Sequence, residues 1–398
     1  MAIETVKGFR DVLPPESLKR QRIKEVIERN FKIFGFLPIE TPTIEYEELA
    51  KGEDEKDSAV SERFRLKDRG GRELALRYEF TFQLKRIFKE NPNVKLPFRR
   101  YQIGQVFRDE PIEKDRYREF IQCDADILGD ASMKAEVDCL ALADKICKEL
   151  RIKYKLKVNN RKLLNSVLAK LGISNNSEIL KELDKIEKIG DEEVAKNLQK
   201  YVDKKKIFEL FEILENKLSF FIKEKYSGAD ELKELFDLCK IYGLEPEFSP
   251  FLVRGFAYYT GTIFEAYSEE IKGSIFAGGR FDSLVGKYIN RVIPAVGISF
   301  GRIVDYPNVE TKFVDCLVIS INQDNKAIEL MNRLRENDIS CFMMDKLMKA
   351  LEYANSYKIP FAVLVGEEEV KKKKFKFRDM SSGKEEMLSE KELVEKIK

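Results

Sequence analysis

Histidine and tryptophan are absent from all 398 residues, and the missing histidine restricts the chemistry. It removes the commonest general base and the side chain that ordinarily titrates near neutral pH. Hydrolases built on Ser-His or Cys-His pairs are excluded. Cysteine is scarce: six residues, at 123, 139, 147, 239, 316 and 341, form no Cys-x-x-Cys pair and have no histidine to complete a zinc site. Scattered reduced thiols and no zinc or other resident metal are expected. No apolar run is long enough to span a bilayer, and residues 1–11 have no signal-peptide core. A cytoplasmic protein with no membrane partner is expected. Charge of one sign is lacking too, since 72 Lys and Arg stand against 70 Asp and Glu. A nucleic-acid partner therefore has to be argued from a local basic surface.

What remains for chemistry is arginine, lysine, carboxylates, metal ions and positioning, the pattern of phosphoryl or nucleotidyl transfer. A hydrophobic content of 43% beside 36% charged residues fits a folded chain with a charged surface. The length suits two or three domains, and three are expected.

Ile23, Val26, Ile27, Phe31 and Phe34 recur at helical spacing, with Gly35 where a left-handed cap is needed, so residues 16–34 read as an amphipathic helix. Pro38 and Pro42 enforce an extended segment over 37–44. One strand ends at Arg108, a charged loop covers 109–115, and a second strand covers 116–128. Period two puts Tyr117, Ile121, Cys123, Ala125 and Ile127 on one face of it, and Arg118, Phe120, Gln122, Asp124 and Asp126 on the other. The polar face of a lone strand is most often simply solvated. Residues 151–158 read as a strand with a basic outer face, 162–242 as amphipathic helices, and 251–301 as a return to β structure. After Pro307, strands 314–321, 339–344 and 361–365 alternate with helices 326–336 and 346–357, a small α/β domain.

Several segments, in order, resemble the class II aminoacyl-tRNA synthetases and, within them, the histidyl-tRNA synthetases. Lys7-Gly8-Phe9-Arg10-Asp11 with Leu13-Pro14 is similar to the family's N-terminal signature, and Gly35-Phe36 with Ile39-Glu40-Thr41-Pro42 to class motif 1, which implies a homodimer. Phe107-Arg108-Asp109-Glu110 followed by Arg116-Tyr117-Arg118-Glu119-Phe120 resembles motif 2, and Ala295-Val296-Gly297-Ile298-Ser299-Phe300-Gly301-Arg302 resembles motif 3. Arg254-Gly255-Phe256-Ala257-Tyr258-Tyr259-Thr260-Gly261 and Ala277-Gly278-Gly279-Arg280-Phe281-Asp282 look like the two motifs specific to histidyl enzymes. The resemblance implies an α+β fold: an antiparallel-sheet catalytic domain from 1–150 and 245–306, a helical insertion at 159–244, and an anticodon-binding α/β domain at 312–398. In the last of these, Lys371 to Lys374, Lys376 and Arg378 offer either a basic face for RNA or a solvated charge run.

The implied reaction joins histidine to ATP as an adenylate, releasing pyrophosphate, and then loads histidine onto its tRNA. By resemblance Arg108 grips the α-phosphate, Arg254 holds the same phosphate and the carboxylate, and Arg302 holds the γ-phosphate, with Glu110, Arg118 and Gly279 also on ATP and Mg²⁺ bridging the pyrophosphate. Glu79 and Thr81, with Gln122, take the ammonium of histidine, Asp126 and Tyr259 face its imidazole, and Tyr258 is also among the histidine-binding residues. A site that demands such hydrogen bonds rejects analogues lacking them by roughly 10⁴ to 10⁵. No editing domain is then needed, and no segment is left over for one.

Two positions depart from the family pattern. Position 257 is Ala where an acid is common, and Arg302 follows Gly301 directly where two residues usually intervene. The rival reading is a non-catalytic paralogue, the histidine-sensing regulatory subunit of ATP phosphoribosyltransferase. The C-terminal domain and the pair Arg108 and Arg254 argue against it. Prolyl or glycyl synthetases lack the 254–261 wording, and a pure RNA-binding protein leaves Glu79, Gln122 and Asp126 unexplained.

Overall fold

In the computed structural model the apolar stripe at the start of the chain becomes α1 (Glu16–Ile33), which buries Ile23, Val26, Ile27 and Phe31. Gly35 follows at φ +76°, the left-handed backbone that a residue without Cβ adopts without steric cost, and the chain turns into an extended segment. The structure describes residues 3–50, 62–112, 117–254, 258–286, 289 and 291–398. They form two compact units, one of 1–11 and 23–307 and the other of 12–22 and 308–398.

The first unit is organised by an eight-stranded sheet in the order β1-β5-β6-β11-β10-β9-β7-β8. Its strands are β1 (Leu37–Pro38), β5 (Phe98–Phe107), β6 (Glu119–Leu128), β7 (Lys155–Asn160), β8 (Glu247–Phe248), β9 (Thr262–Ser268), β10 (Ile271–Arg280) and β11 (Ala295–Phe300). Only the two edge pairings, β1 with β5 and β7 with β8, are parallel; the central pairings are antiparallel. A small sheet of β2 (Ile44–Tyr46), β3 (Arg65–Lys67) and β4 (Glu73–Leu76) precedes α2 (Gln83–Glu90). Helix α3 (Met133–Glu149) follows β6 and buries Val137, Leu140, Ala143 and Ile146. From α4 (Arg161–Lys170) through α5 (Lys204–Leu214) to α6 (Ala229–Ile241) the chain is helical, with Leu163, Val167, Leu210, Leu214, Leu232 and Leu235 buried.

The 151–158 strand expectation is shifted: Arg151 lies in a turn, Ile152 to Tyr154 are irregular and β7 starts at Lys155. The polar face of β6 is also not solvated. Every residue from Gln122 to Leu128 is buried, because β5 and β11 flank the strand and structure covers both its faces.

The second unit carries a five-stranded sheet, β13-β12-β14-β15-β16. Strands β12 (Cys316–Ser320), β13 (Cys341–Met344) and β14 (Phe361–Val365) are parallel; β15 (Phe375–Asp379) and β16 (Glu385–Leu388) add antiparallel. Period two divides its core. Cys316, Val318, Val363 and Val365 pack with α7 (Asp324–Glu336) and α9 (Glu390–Ile397), while Leu317, Ile319, Ala362 and Leu364 pack with α8 (Leu347–Ser356).

One buried ion pair ties the ends of β10 and α3 together. Arg280 donates from Nε and Nη2 to the two carboxylate oxygens of Glu136, both at 2.6 Å, and also to the Asp130 carbonyl at 3.2 Å and to Asp282 at 3.1 Å. Glu136 is 0% exposed, so removing it costs the buried guanidinium its two shortest bonds and leaves it the partly exposed Asp282 carboxylate. Glu136→Ala is expected to destabilise the first unit by about 3–5 kcal/mol, read by denaturant unfolding; a loss under about 1 kcal/mol, the worth of a surface pair, would contradict this.

Candidate active site

The polar face of β6 forms the wall of a cavity whose volume, with its open mouth, is about 510 Å³. Gln122, Asp124 and Asp126 point into it at successive inward positions. Across the sheet Asp126 lies in register with Gly297 of β11. A Cβ at Gly297 would stand 1.7 Å from Asp126 Oδ1, so only glycine lets this carboxylate occupy its place. Gln122 donates to Asp124 at 2.8 Å, and Ser299 of β11 also bonds Asp124.

Glu79 enters from the segment between β4 and α2. That segment is fixed to the sheet edge: Phe107 N–H donates to the Arg77 carbonyl at 3.0 Å, and the Arg77 side chain donates to the carbonyls of Gln105 at 2.7 Å and Thr41 at 3.0 Å. Glu79 accepts from the Phe82 N–H at 3.0 Å, at the start of α2, and from the Tyr258 hydroxyl at 3.3 Å. Thr81 lines the same wall.

Two guanidinium groups face these acids. Arg108, just past the end of β5, stacks over Tyr78 at 4.4 Å and Phe120 at 5.0 Å and donates to Gln122 at 3.4 Å. Arg254 pairs with Glu265 of β9 at 3.1 Å. Burial alone would lower the Arg254 pKa, but Glu265, helped by Tyr259 and Tyr258, outweighs it and leaves the group firmly protonated. The rings of Tyr258 and Tyr259 meet at a tilt of 50° with their centroids 4.8 Å apart.

Burial acts the other way on the acids. It pushes Glu79 up to about 8, with Asp124 and Asp126 adding to the shift and Arg108 opposing it. It raises Asp126 to about 7, with Arg100 opposing, and raises Asp124 as well. The cavity thus sets three carboxylates that resist ionisation against two fixed cations, and it admits a ligand carrying both an ammonium and anionic oxygens.

Residues 8–302 match the family model described as histidyl-tRNA synthetase, and residues 315–398 match the anticodon binding domain. The chain belongs to the histidyl-tRNA synthetase family. A relative named histidine–tRNA ligase 1, from Bacillus cereus, is 36% identical over 413 residues, covering 97% of each chain. One named histidine–tRNA ligase from Finegoldia magna is 33% identical and covers 99% of each. Among solved structures, a histidyl-tRNA synthetase from Nostoc sp. shares the fold at TM-score 0.87 and 24% identity, over 100% of this chain and 99% of that one. An ATP phosphoribosyltransferase regulatory subunit/histidyl-tRNA synthetase from Bacillus halodurans shares it at TM-score 0.73 and 22% identity, over 87% of this chain and 93% of its own.

Of the residues that the family motifs single out, Glu79, Thr81, Arg108, Gln122, Asp126, Arg254, Tyr258 and Tyr259 line one cavity. Glu110 stands beside it, buried, with its carboxylate 3.8 Å from Arg108. Arg118 does not line it: its Nε donates to the Glu110 carbonyl at 3.1 Å and its Nη2 pairs with Asp109 at 3.1 Å. Gly279 is packed behind Tyr259 and the Thr262 carbonyl, and Arg302, opening a short 3-10 helix (Arg302–Asp305), lies beside Gly273 and off the cavity wall. Residues 113–116 and 255–257, which include Arg116 and Ala257 of the motifs, lie outside the described residues.

Four partners escaped the sequence reading. Asp124 was visible on the inward face of β6, and only its burial makes it part of the site. Ser299 and Arg100 reach it through strand pairing and Glu265 through its ion pair with Arg254, neither of which sequence spacing reveals. The lysine run of the second unit is largely paired: Lys371 with Glu367 at 2.6 Å, Lys372 with Glu368 at 3.2 Å, and Arg378 and Lys376 with Glu385 at 3.3 and 3.9 Å.

Glu79 and Asp126 have folded pKa values of about 8 and about 7, above the unfolded carboxylate values of 4.5 and 3.8. Their contribution to stability is therefore complete below the unfolded values and is lost as pH rises through 7 and 8. The melting temperature should fall between about pH 5 and 8.5, and Glu79→Gln should flatten that fall. A Glu79→Gln profile parallel to wild type would refute the assignment.

Proposed function

We propose that the protein activates histidine with ATP and transfers it to its tRNA. The observation that carries this reading is the bipolar cavity, in which Glu79, Asp124 and Asp126 face Arg108 and Arg254. The carboxylate of Glu79, with Thr81 and Gln122, takes the ammonium of histidine, and Asp126 and Tyr259 take its imidazole. The substrate carboxylate then lies toward the guanidinium groups. One of its oxygens attacks the α-phosphorus of ATP, the P–O bond to pyrophosphate breaks, and the adenylate remains.

Negative charge gathers on the α-phosphate during this step and no proton has to be removed, so a chain without histidine loses nothing by lacking that base. Arg254, tethered by Glu265, and Arg108, held between two aromatic rings, are fixed in advance where that charge develops. Among the described residues no three His, Cys, Asp or Glu side chains group to hold a metal ion, so Mg²⁺ would arrive on the triphosphate. Glu110, Arg118, Gly279 and Arg302 would meet the rest of the nucleotide beyond the cavity. Transfer to tRNA is supported by the anticodon-binding match over 315–398. A homodimer fits the exposed apolar side chains Ile33, Leu37, Ile44 and Tyr46 around motif 1. A cytoplasmic location fits a chain in which no described helix is long and apolar enough to cross a membrane.

ATP–pyrophosphate exchange with each of the twenty amino acids tests the reading. Exchange is expected with histidine alone, and Arg254→Ala should lower its rate about 10²- to 10³-fold, as the loss of a fixed donor to a developing charge does. Histidine binding without exchange would instead assign the protein to the regulatory role.

A further inference from the structure

Among the described residues Arg100 is the largest fully buried side chain, 0% exposed, and it does not line the cavity. It stands on β5 directly across the register from Asp126 on β6. Its Nη2 pairs with the Asp126 carboxylate and donates to the Phe80 carbonyl at 3.2 Å. Its Nε and Nη1 are buried with no hydrogen-bond partner. Satisfying its own donors therefore does not account for this guanidinium in the core, and the charge on Asp126 remains as its counterpart.

The surroundings of Asp126 show what that charge needs. Asp124 stands two residues away on the same face of β6, and its charge raises Asp126. Glu79, from the segment before α2, and the Cys139 thiol, from α3, each lie close enough to feel the Asp126 charge. Strand β11 brings the Gly297 backbone and the Ser299 hydroxyl, neither of them charged. Arg108 acts on Glu79 and Asp124. Among the described residues Arg100 is the cation set against Asp126 itself. Without it, burial and two neighbouring acids would leave that side chain as a neutral acid, which donates through its O–H where the anion only accepts.

We propose that Arg100 is a positioning residue for the amino-acid substrate: its guanidinium favours the ionised form of Asp126, so that Asp126 faces the incoming substrate as an anion and accepts the hydrogen bond of the imidazole N–H. The inference rests on the reading that the cavity takes histidine. It adds to that reading the residue that decides the direction of the imidazole hydrogen bond, and with it the rejection of side chains that offer only an acceptor. Arginine suits the task because it does not lose its proton inside a protein.

The test is calorimetric titration of the full chain with histidine, without ATP, at pH 7 and pH 9. Arg100→Met should raise the Kd about 10-fold or more at pH 7, the worth of one charge-assisted hydrogen bond, and less at pH 9, where Asp126 ionises unaided. Arg100→Lys, which keeps the charge, should retain the wild-type pH profile. Asp126→Asn should weaken binding in the wild type and add little to Arg100→Met. An Arg100→Met protein within two-fold of wild type at both pH values, or one weakened equally at both, would overturn the proposal. If Arg100→Met does not fold, the ¹³C carboxyl resonance of Asp126, assigned with Asp126→Asn, decides it: an anion is expected in the histidine complex, and a protonated acid overturns it. Failure of the wild type to bind histidine would instead count against the reading of the cavity itself.

Discussion

Three carboxylates buried within one cavity are the constraint on which the rest of the first unit depends. Each loses hydration on folding and each repels the others, so the fold must supply counter-charge or leave them protonated. It does both. Arg108 and Arg100 bring positive charge from β5, and Glu79 and Asp126 still titrate near 8 and 7. A glycine at 297 is needed for Asp126 to fit at all. The antiparallel pairing of β5, β6 and β11 therefore places the charges as well as the backbone.

The absence of histidine takes on a different meaning in this setting. A sequence without imidazole would be expected to have no group titrating near neutral pH, yet burial moves two carboxylates into that range. The proposed activation step uses neither as a base. An acid whose proton is loosely held becomes a firm anion once an ammonium or an imidazole N–H is presented to it, because the incoming donor replaces lost hydration. Ligand binding and proton release are thus linked through the cavity floor.

Much of this was legible in the residues. The period-two reading of β6 put Gln122, Asp124 and Asp126 on one face, and the family resemblance assigned substrate roles to eight residues that share the cavity. What sequence did not show was the environment. An alternating strand reads as half-wet, and only the flanking strands and covered faces reveal β6 as buried throughout. Arg100 was invisible because its register against Asp126, about 26 residues along the chain, comes from sheet assembly, and Glu265 because its ion pair with Arg254 is made only once the chain before β9 folds against that strand. The pairing of the basic run near 371–378 was hidden for a related reason: its counter-charges lie one helical turn back or on the neighbouring strand.

The Arg280-Glu136 pair shows why a family motif is not the same as a contact list. The stretch 277–282 contributes Ala277, Gly278 and Phe281 to the cavity wall, while its most polar residue, Arg280, points away into five hydrogen bonds with α3, the Asp130 and Ser132 carbonyls and Asp282. Asp282 in turn accepts from the Ala295 N–H at 2.9 Å, at the first residue of β11. Strand β11 is the one that carries Gly297 and Ser299 opposite the acids. The motif's charged pair therefore acts on the site through backbone placement. Arg280 braces α3 against β10, Asp282 fixes the start of β11, and the register of β11 against β6 sets the room in which Asp126 sits.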